Sequence, residues 1–489
     1  MVLLDCMHRV NPKHRRAAAL RFVTYGVTMT LTVLTTVLLL YIALGYRFDG
    51  QNGRVVRSGL LLVDSNPEAA SVFVNNELKD TAAPSRFVLA AGDYDLKLQK
   101  RGYRDWSKKV NVSISAVREV NYPLMIPTKL TARKLAQVET PSLISQSKDR
   151  KLLLSYINGQ STMLLTELDP QAPKQTSLNL SSAFTRDNGQ LGTFRVVEWA
   201  LNNKFILLEH TSAGGKVELI SLNVTKPEEA VNITTLYGVE ITSDIHYAGG
   251  DINKVYSLSG GILKRYNLET SETETILQDV VSYQPYADDT ILFTRTNISK
   301  KNEVGIWQDK ITTVIRSDID PASLPLLKYA SFDQHFYFVI ALSGGNVVTV
   351  YRDPLKKPIL SKQLPLTTFE FDKTQNLSFS SSSQFIMVQN GSTFKTYDLD
   401  DFKLYTTTLP YVVAPGSIIE WADGHHVQVT SSETQNYIIE YDGQNQQTLV
   451  TSKPGTKLFY ADNYQHLYRY NQVDTVTSLD TISLVNNRE

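Results

Sequence analysis

The chain has 489 residues, in which 49 lysines and arginines balance 49 aspartates and glutamates. This balance argues against a nucleic-acid-binding protein, because such proteins carry a basic excess that neutralises phosphates. The single cysteine, Cys6, excludes disulfides and cysteine metal sites from the remainder of the chain.

Residues 22–46 form an apolar run that contains no charged residue. As a helix rising about 1.5 Å per residue, this run is long enough to cross a hydrocarbon core of roughly 30 Å. Backbone groups in lipid must be satisfied within the segment, so we predict one transmembrane helix. Its hydroxyl groups can bond to their own helix or to a partner helix. They belong to Thr28, Thr30, Thr32, Thr35 and Thr36.

The segments on either side of this helix predict its orientation. Residues 1–21 form a head with five basic residues and one acid, and residues 47–58 form a linker. The basic head predicts a cytoplasmic N-terminus and an extracytoplasmic body at the cell membrane. A cleaved signal peptide is the alternative, because Ala43-Leu44-Gly45 resembles a cleavage site, but a signal core spans only about 7–15 residues. We therefore expect an uncleaved signal anchor, with Cys6 as a free thiol.

The residues after the head carry 44 basic and 48 acidic side chains, which is ordinary for a soluble surface. They contain no cysteine, although an exported eukaryotic domain of this size would usually carry disulfides. The composition therefore favours a prokaryotic protein of the cell envelope, most simply a bacterial one.

Residues 59–127 contain short segments in which apolar and polar residues alternate, such as 94–98 and 110–114. Asn75-Asn76 and Ala91-Gly92-Asp93 are turn signals between such segments. Short alternating strands separated by turns predict a small antiparallel β-sandwich.

A series of motifs runs through the same region. It consists of Asn66-Pro67-Glu68-Ala69-Ala70, Asn75-Asn76, Thr81 with Pro84, Ala91-Gly92-Asp93-Tyr94, Gly102-Tyr103 and Trp106. In this order the motifs resemble the PEGA domain family, although Ala69 replaces a glycine and Ala82-Ala83 separates the usual Thr-Pro pair. The resemblance implies a surface-exposed β-module without catalytic residues. We interpret Tyr94, Tyr103 and Trp106 as core residues rather than as a ligand platform.

Residues 130–489 contain a repeat in which a strand ends in a bulky residue followed by a polar one. Successive bulky residues are separated by 54, 44, 41, 44, 46 and 44 positions. They are Leu168, Leu222, Tyr266, Trp307, Tyr351, Tyr397 and Tyr441. An apolar strand precedes several of them, for example at 151–156 and 336–340. A β-repeat with a period near 44 residues is typical of a β-propeller.

Seven of these repeat units are clear, and an eighth, at 457–484, lacks one strand. Residues 130–138 could supply that strand and close the ring. The repeats resemble the divergent WD40-like propellers of prokaryotic exported proteins, without the Trp-Asp signature. We therefore predict an all-β ectodomain, a small β-sandwich followed by a seven- or eight-bladed β-propeller, on a single N-terminal transmembrane helix. Eight blades are preferred over seven.

No catalytic motif is present in the sequence, neither a Gly-X-Ser-X-Gly nucleophile elbow nor a phosphate-binding loop. His425-His426 is the only adjacent histidine pair, and neighbours in a strand point to opposite faces, so we expect no shared metal. We interpret Glu269, Glu272 and Glu274 as a solvated turn. No catalytic, cofactor-binding or metal residue is therefore assigned, no cofactor is expected, and the binding residues stay unassigned.

These observations favour a non-enzymatic envelope protein that displays its two β-domains for binding a protein or cell-wall glycan. The alternative is a hydrolase or lyase that acts on an envelope polymer. General acid and base catalysis would then need two carboxylates that converge in the propeller channel.

Overall fold

The computed structural model describes residues 12–43, 45–49, 54–180, 183–187, 189–238, 244–287, 289–356, 364–414, 416–462 and 464–485. The chain divides into two compact units, Met1–Thr128 and Lys129–Glu489. The first eleven residues of the predicted head, which include Cys6, and residues 50–53 of the predicted linker lie outside the described residues.

The N-terminal helix, α1, spans Pro12–Ala43 and contains the apolar stretch Arg21–Ile42, none of which is buried. A single N-terminal helix of this length and composition fits a membrane anchor. Its threonine hydroxyls donate to backbone carbonyls one turn earlier at 2.8–3.0 Å, as predicted. The helix ends three residues before the predicted boundary, because Gly45 adopts a φ of 77° and Tyr46 begins a strand.

The rest of the first unit is a sandwich of two four-stranded sheets. One sheet contains β1 (Tyr46–Asp49), β2 (Arg54–Val63), β5 (Ser85–Ala90) and β8 (Val117–Val120). The other contains β3 (Ser71–Val74), β4 (Glu77–Asp80), β6 (Gly92–Gln99) and β7 (Trp106–Val112). All pairs are antiparallel except β2 with β8, which is parallel and departs from the antiparallel prediction.

The core of this sandwich includes the aromatic residues that we predicted to lie in it. Tyr103 and Trp106 are buried and Tyr94 packs against them and their neighbours. Asn75 and Asn76 both have positive φ in the turn between β3 and β4, as their turn signal predicts.

The described part of the second unit forms eight four-stranded antiparallel sheets, which are the blades of a propeller. Blade 1 contains β10 (Leu143–Gln146), β11 (Leu152–Tyr156), β12 (Thr162–Glu167) and β13 (Lys174–Asn179), and blade 2 contains β14 (Thr193–Trp199), β15 (Phe205–Thr211), β16 (Val217–Asn223) and β17 (Val231–Asn232). Blade 3 contains β18 (Asp244–Ala248), β19 (Asp251–Ser259), β20 (Ile262–Asn267) and β21 (Thr273–Leu277), and blade 4 contains β22 (Val280–Ala287), β23 (Thr290–Thr296), β24 (Asn302–Gln308) and β25 (Ile311–Ile319).

Blades 5 to 7 repeat this order along the chain. Blade 5 contains β26 (Pro325–Phe332), β27 (His335–Leu342), β28 (Val347–Arg352) and β29 (Thr367–Glu370). Blade 6 contains β30 (Asn376–Phe379), β31 (Phe385–Asn390), β32 (Thr393–Asp398) and β33 (Leu404–Thr408). Blade 7 contains β34 (Glu420–Trp421), β35 (His426–Thr430), β36 (Gln435–Glu440) and β37 (Gln447–Thr451). A short helix, α2 (Ile233–Tyr237), follows β17, and single 3-10 turns lie at Pro227–Glu229 and Pro354–Lys356.

Blade 8 is built from both ends of the second unit. It combines β38 (Phe459–Tyr460), β39 (His466–Val473) and β40 (Val476–Ser483) with β9 (Ala132–Val138). Because β9 pairs with β40 from Ala132↔Ile482 to Val138↔Thr477, the strand predicted to complete this blade is confirmed.

Contacts between the last blade and the first close the ring. Leu153 of blade 1 packs with Tyr468 and Leu479 of blade 8 in one buried cluster. Gln146 Nε2 donates to the Tyr460 carbonyl at 2.8 Å, and Tyr468 Oη donates to a blade 1 carbonyl at 3.0 Å. Comparable apolar clusters join successive blades from blade 1 to blade 7, and the repeated bulky residues lie within one position of the ends of the third strands.

Candidate functional site

The first strands lie innermost in the propeller, because those of blades 1 and 2, 2 and 3, 3 and 4, and 5 and 6 contact one another while pairing on one side only. A cavity of about 440 Å³ lies on the first strands of blades 2 to 5 and the turn after the first strand of blade 1. Its polar residues come one from each of these five blades. They are Lys148, Glu198, His246, Gln284 and Lys328, and we call their site the inner-strand cavity.

The first strands bring these residues to the cavity. Along β18, the half-buried His246 lies between the buried Ile245 and Tyr247, and both His246 and Tyr247 line the cavity. Trp199, Tyr283 and Tyr286 supply aromatic walls. Trp199 and Tyr283 are buried and fixed by hydrogen bonds, whereas Tyr286 remains 37% exposed.

His246 lies between two carboxylates. Its Nδ1 is 3.5 Å from Glu198 Oε2 and its Nε2 is 3.3 Å from Asp244 Oδ1. Burial disfavours the charged imidazole, but the hydrogen bonds and charges of Asp244 and Glu198 outweigh it and raise the pKa of His246 to about 9. Glu198 also accepts a hydrogen bond from the Tyr247 backbone N–H. At neutral pH the histidine is therefore a cation held by both acids.

The two lysines of the cavity lack such partners. Among the described residues, no carboxylate oxygen lies within 4.0 Å of Lys148 Nζ or Lys328 Nζ. With its amide oriented to satisfy both neighbours, Gln284 accepts from Lys328 Nζ at 3.0 Å and donates to the Leu327 carbonyl at 2.9 Å. Burial lowers the pKa of Lys328, and burial also lowers that of Lys148 against the opposing influence of Glu198.

A second and larger cavity, of about 670 Å³, lies on blades 7 and 8 and the segment before β10. Hydroxyl groups dominate its polar lining, and they belong to Ser142, Ser417, Thr430, Ser431, Ser432, Thr434 and Thr456. Its one acid, Glu420, is paired with Lys457 at 2.7 Å. The first-strand acids Glu198 and Glu420 are thus each engaged by a cation rather than by a second acid.

A third polar cluster, centred on Glu218, lies inside blade 2 and opens into no cavity described above. Glu218 and His210 are both fully buried, with Nδ1 of the histidine 3.3 Å from the carboxylate. Thr185 donates to Glu218 from its backbone N–H and its hydroxyl, and Lys216 Nζ lies at 2.8 Å. Burial would raise the pKa of Glu218, but these donors lower it to about 2.

The structure separates the histidines and glutamates that the sequence singled out. His426 Nδ1 contacts Asp423 Oδ2 at 2.8 Å, whereas the His425 ring packs edge-on against Phe385. The described residues contain no group of three side chains that could hold a metal. Around the β20–β21 turn the three glutamates bind neighbouring side chains, at Asn253, Thr270 and Arg265.

The inner-strand cavity itself was missed by sequence reasoning. Its five polar residues follow one another at intervals of 38 to 50 residues, close to the period of the repeat. A search for polar residues at that period, in the first strand of each unit or in the turn after it, could have found them.

Comparisons with known proteins found the following similarities. Residues 58–127 match the PEGA domain. The WD40 domain of Sif2 aligns over 73% of this chain and 99% of its own, at 10% identity and a TM-score of 0.47. BamB from Moraxella catarrhalis aligns over 72% and 99%, at 11% identity and a TM-score of 0.40. The computationally designed Ika8 protein aligns over 72% and 98%, at 11% identity and a TM-score of 0.43. A search of curated proteins found no match. Among its described residues the chain thus contains an N-terminal apolar helix, a segment, 58–127, that matches the PEGA domain, and a β-propeller of eight four-stranded sheets.

Proposed function

We propose that this protein is a non-enzymatic component of the bacterial cell envelope. The helix α1 anchors it as a signal anchor, its basic head lies in the cytoplasm, and the PEGA domain and propeller lie outside and bind a partner protein. The apolar 22-residue stretch Arg21–Ile42, which is uncharged after Arg21, and the basic residues of the head support the anchor and its orientation.

The observation that carries the binding function is the inner-strand cavity. It gathers polar side chains from five consecutive blades and leaves two lysines without an acidic partner among the described residues. The carboxylates next to His246 favour binding over hydrolase or lyase activity, because Glu198 and Asp244 are both engaged with His246. General acid and base catalysis instead needs two acids that converge on the substrate.

Site-specific photocrosslinking in living cells tests the binding function. The full-length protein would carry p-benzoylphenylalanine in place of Tyr286 at the cavity, or in place of Ile311 on the outer strand of the same blade as a control. Recurrent capture of one envelope protein from position 286 but not from 311 is the expected result. Equal capture from both positions, or retention on isolated cell wall with no captured protein, would contradict a protein partner at this cavity.

The native Cys6 reports on the anchor, because it is the only cysteine of the chain. A membrane-impermeant maleimide should leave it unlabelled in intact cells and label it after permeabilisation. Labelling in intact cells would reverse the orientation. Absence of labelling in denatured, reduced protein would indicate that the segment had been cleaved as a signal peptide.

A further inference from the structure

Lys328 is the residue from which this inference begins. It lies in β26 between the buried Leu327 and Tyr329, and its ammonium group donates to the neutral amide of Gln284. Removing a charge from water is costly unless an opposite charge compensates it. Among the described residues no carboxylate reaches Lys328, so an external anion would supply the missing compensation.

The charge of the surrounding wall points the same way. The cavity is lined by three cations, Lys148, His246 and Lys328, and by one acid, Glu198. Glu198 is already occupied by His246 and by the Tyr247 backbone N–H. The cavity therefore attracts negative charge, because Glu198 is shared with His246 and, although its charge acts on Lys148, no ion pair of the described residues joins it to either lysine.

The size and walls of the cavity restrict the kind of anion. A volume of about 440 Å³ admits a few side chains but not a folded domain. Tyr286, which is 37% exposed, adds aromatic surface that a small inorganic anion would not use, whereas methylene groups of an acidic side chain would pack against it.

We propose that the inner-strand cavity binds carboxylate side chains of an acidic peptide segment from the partner protein, with Lys148 and Lys328 as the recognising cations. This inference rests on the proposed function and specifies the chemistry of the partner at that site. Tyr286, at the exposed edge, packs against the peptide, and His246 remains bound to its two acids, Asp244 and Glu198.

A fluorescence titration of the full-length protein in detergent tests this assignment. The probe is a fluorescein-labelled, N-acetylated and amidated tetraglutamate peptide, with the corresponding tetraglutamine peptide and inorganic phosphate as comparisons. We expect saturable binding of tetraglutamate, at least tenfold tighter than tetraglutamine and weakened by added salt. Equal affinity for both peptides, or binding of phosphate without binding of tetraglutamate, would overturn the proposal.

Substitutions locate the binding site. Lys328→Met and Lys148→Met should each weaken tetraglutamate binding at least tenfold, and Lys328→Arg should restore most of it. Lys403→Met removes an exposed lysine from blade 6 outside the cavity and should leave binding unchanged. Because Lys148 is exposed, its variant keeps the test informative if a change at Lys328 impairs folding. Equal weakening by Lys403→Met would show nonspecific attraction and overturn the assignment.

The photocrosslinking experiment separates this inference from the function on which it rests. If Lys328→Met abolishes capture from position 286, both are supported. Undiminished capture by that variant would leave the protein partner standing and would overturn the acidic-peptide chemistry.

Discussion

The Glu218 cluster of blade 2 and the inner-strand cavity contain the same ionisable residue types, but only the first satisfies its charges internally. The fully buried Glu218 is contacted by the buried His210, by the exposed Lys216 and by two donors from Thr185. In the cavity, His246 and Glu198 are paired with each other, while Lys328 finds only a neutral amide among the described residues.

This difference separates a structural cluster from a binding site. The donors around Glu218 hold the segment at residues 183–187 against the β15–β16 hairpin, and an external ligand would have nothing to add. A charge that is partly buried and lacks a counter-ion costs stability, and proteins retain such costs mainly where function needs them. The comparison thus predicts opposite responses to mutation in the two clusters.

The largest effect is expected at Glu218. Glu218→Ala leaves His210 and the Thr185 donors without their acceptor in a fully buried site. We expect the free energy of unfolding to fall by about 3–5 kcal/mol, as when one partner of a buried pair is removed. Urea denaturation of the full chain measures it, with Glu269→Ala in an exposed turn as the control. A loss below about 1 kcal/mol would mean that this cluster is not a structural one.

A smaller, pH-dependent effect is expected at His246. The pKa of His246 is raised in the folded protein to about 9. Its contribution to the free energy of unfolding is therefore complete below the ordinary pKa near 6.5 and is lost as the pH rises through 9. The charged groups around it are Asp244 and Glu198, with Lys148 acting on Glu198. The loss should be on the order of 1–3 kcal/mol between pH 6.5 and 9.5.

His246→Gln serves as the reference for that pH titration. The neutral amide cannot change charge, so the variant should lack the part of the slope that His246 contributes. The Glu218 cluster behaves oppositely, because the pKa of Glu218 is lowered in the folded protein. The stabilisation by its ionised carboxylate is complete above about pH 4.5 and is lost only as the pH falls towards 2. Parallel slopes for wild type and His246→Gln from pH 6.5 to 9.5 would contradict the ion-paired geometry.

Much of the fold was predictable because local patterns encode it. The repeat of bulky residues marked the third strands, and the apolar run His335–Leu342 is the buried strand β27. Even the pairing of β9 with β40, across more than 300 residues, followed from an eighth repeat that lacked one strand. The parallel pairing of β8 with β2 was not predictable, because alternation identifies a strand but not the direction of its neighbour.

The inner-strand cavity could not be predicted in the same way. Each of its polar residues is a single position in a different blade, and residues such as Lys328 look like ordinary strand residues in the sequence. Lys148 of blade 1 and Lys328 of blade 5 lie far apart in the sequence, and they line one cavity only in the folded propeller. Whether a lysine forms an ion pair with an acid in the cavity depends on contacts between blades, and local sequence patterns do not predict such contacts.

The smallest effects come from two matched lysine substitutions, and their signs distinguish the clusters most directly. Lys216→Met removes a partner of the buried Glu218, so the free energy of unfolding should fall by about 1 kcal/mol. Lys328→Met removes a partly buried cation that has no carboxylate partner among the described residues, so stability should stay unchanged or rise by up to about 1 kcal/mol. Urea denaturation of both variants at pH 7 measures the pair. If Lys328→Met were the more destabilising change, this lysine would have a structural role in blade 5, and the distinction between a completed cluster and an open site would fail.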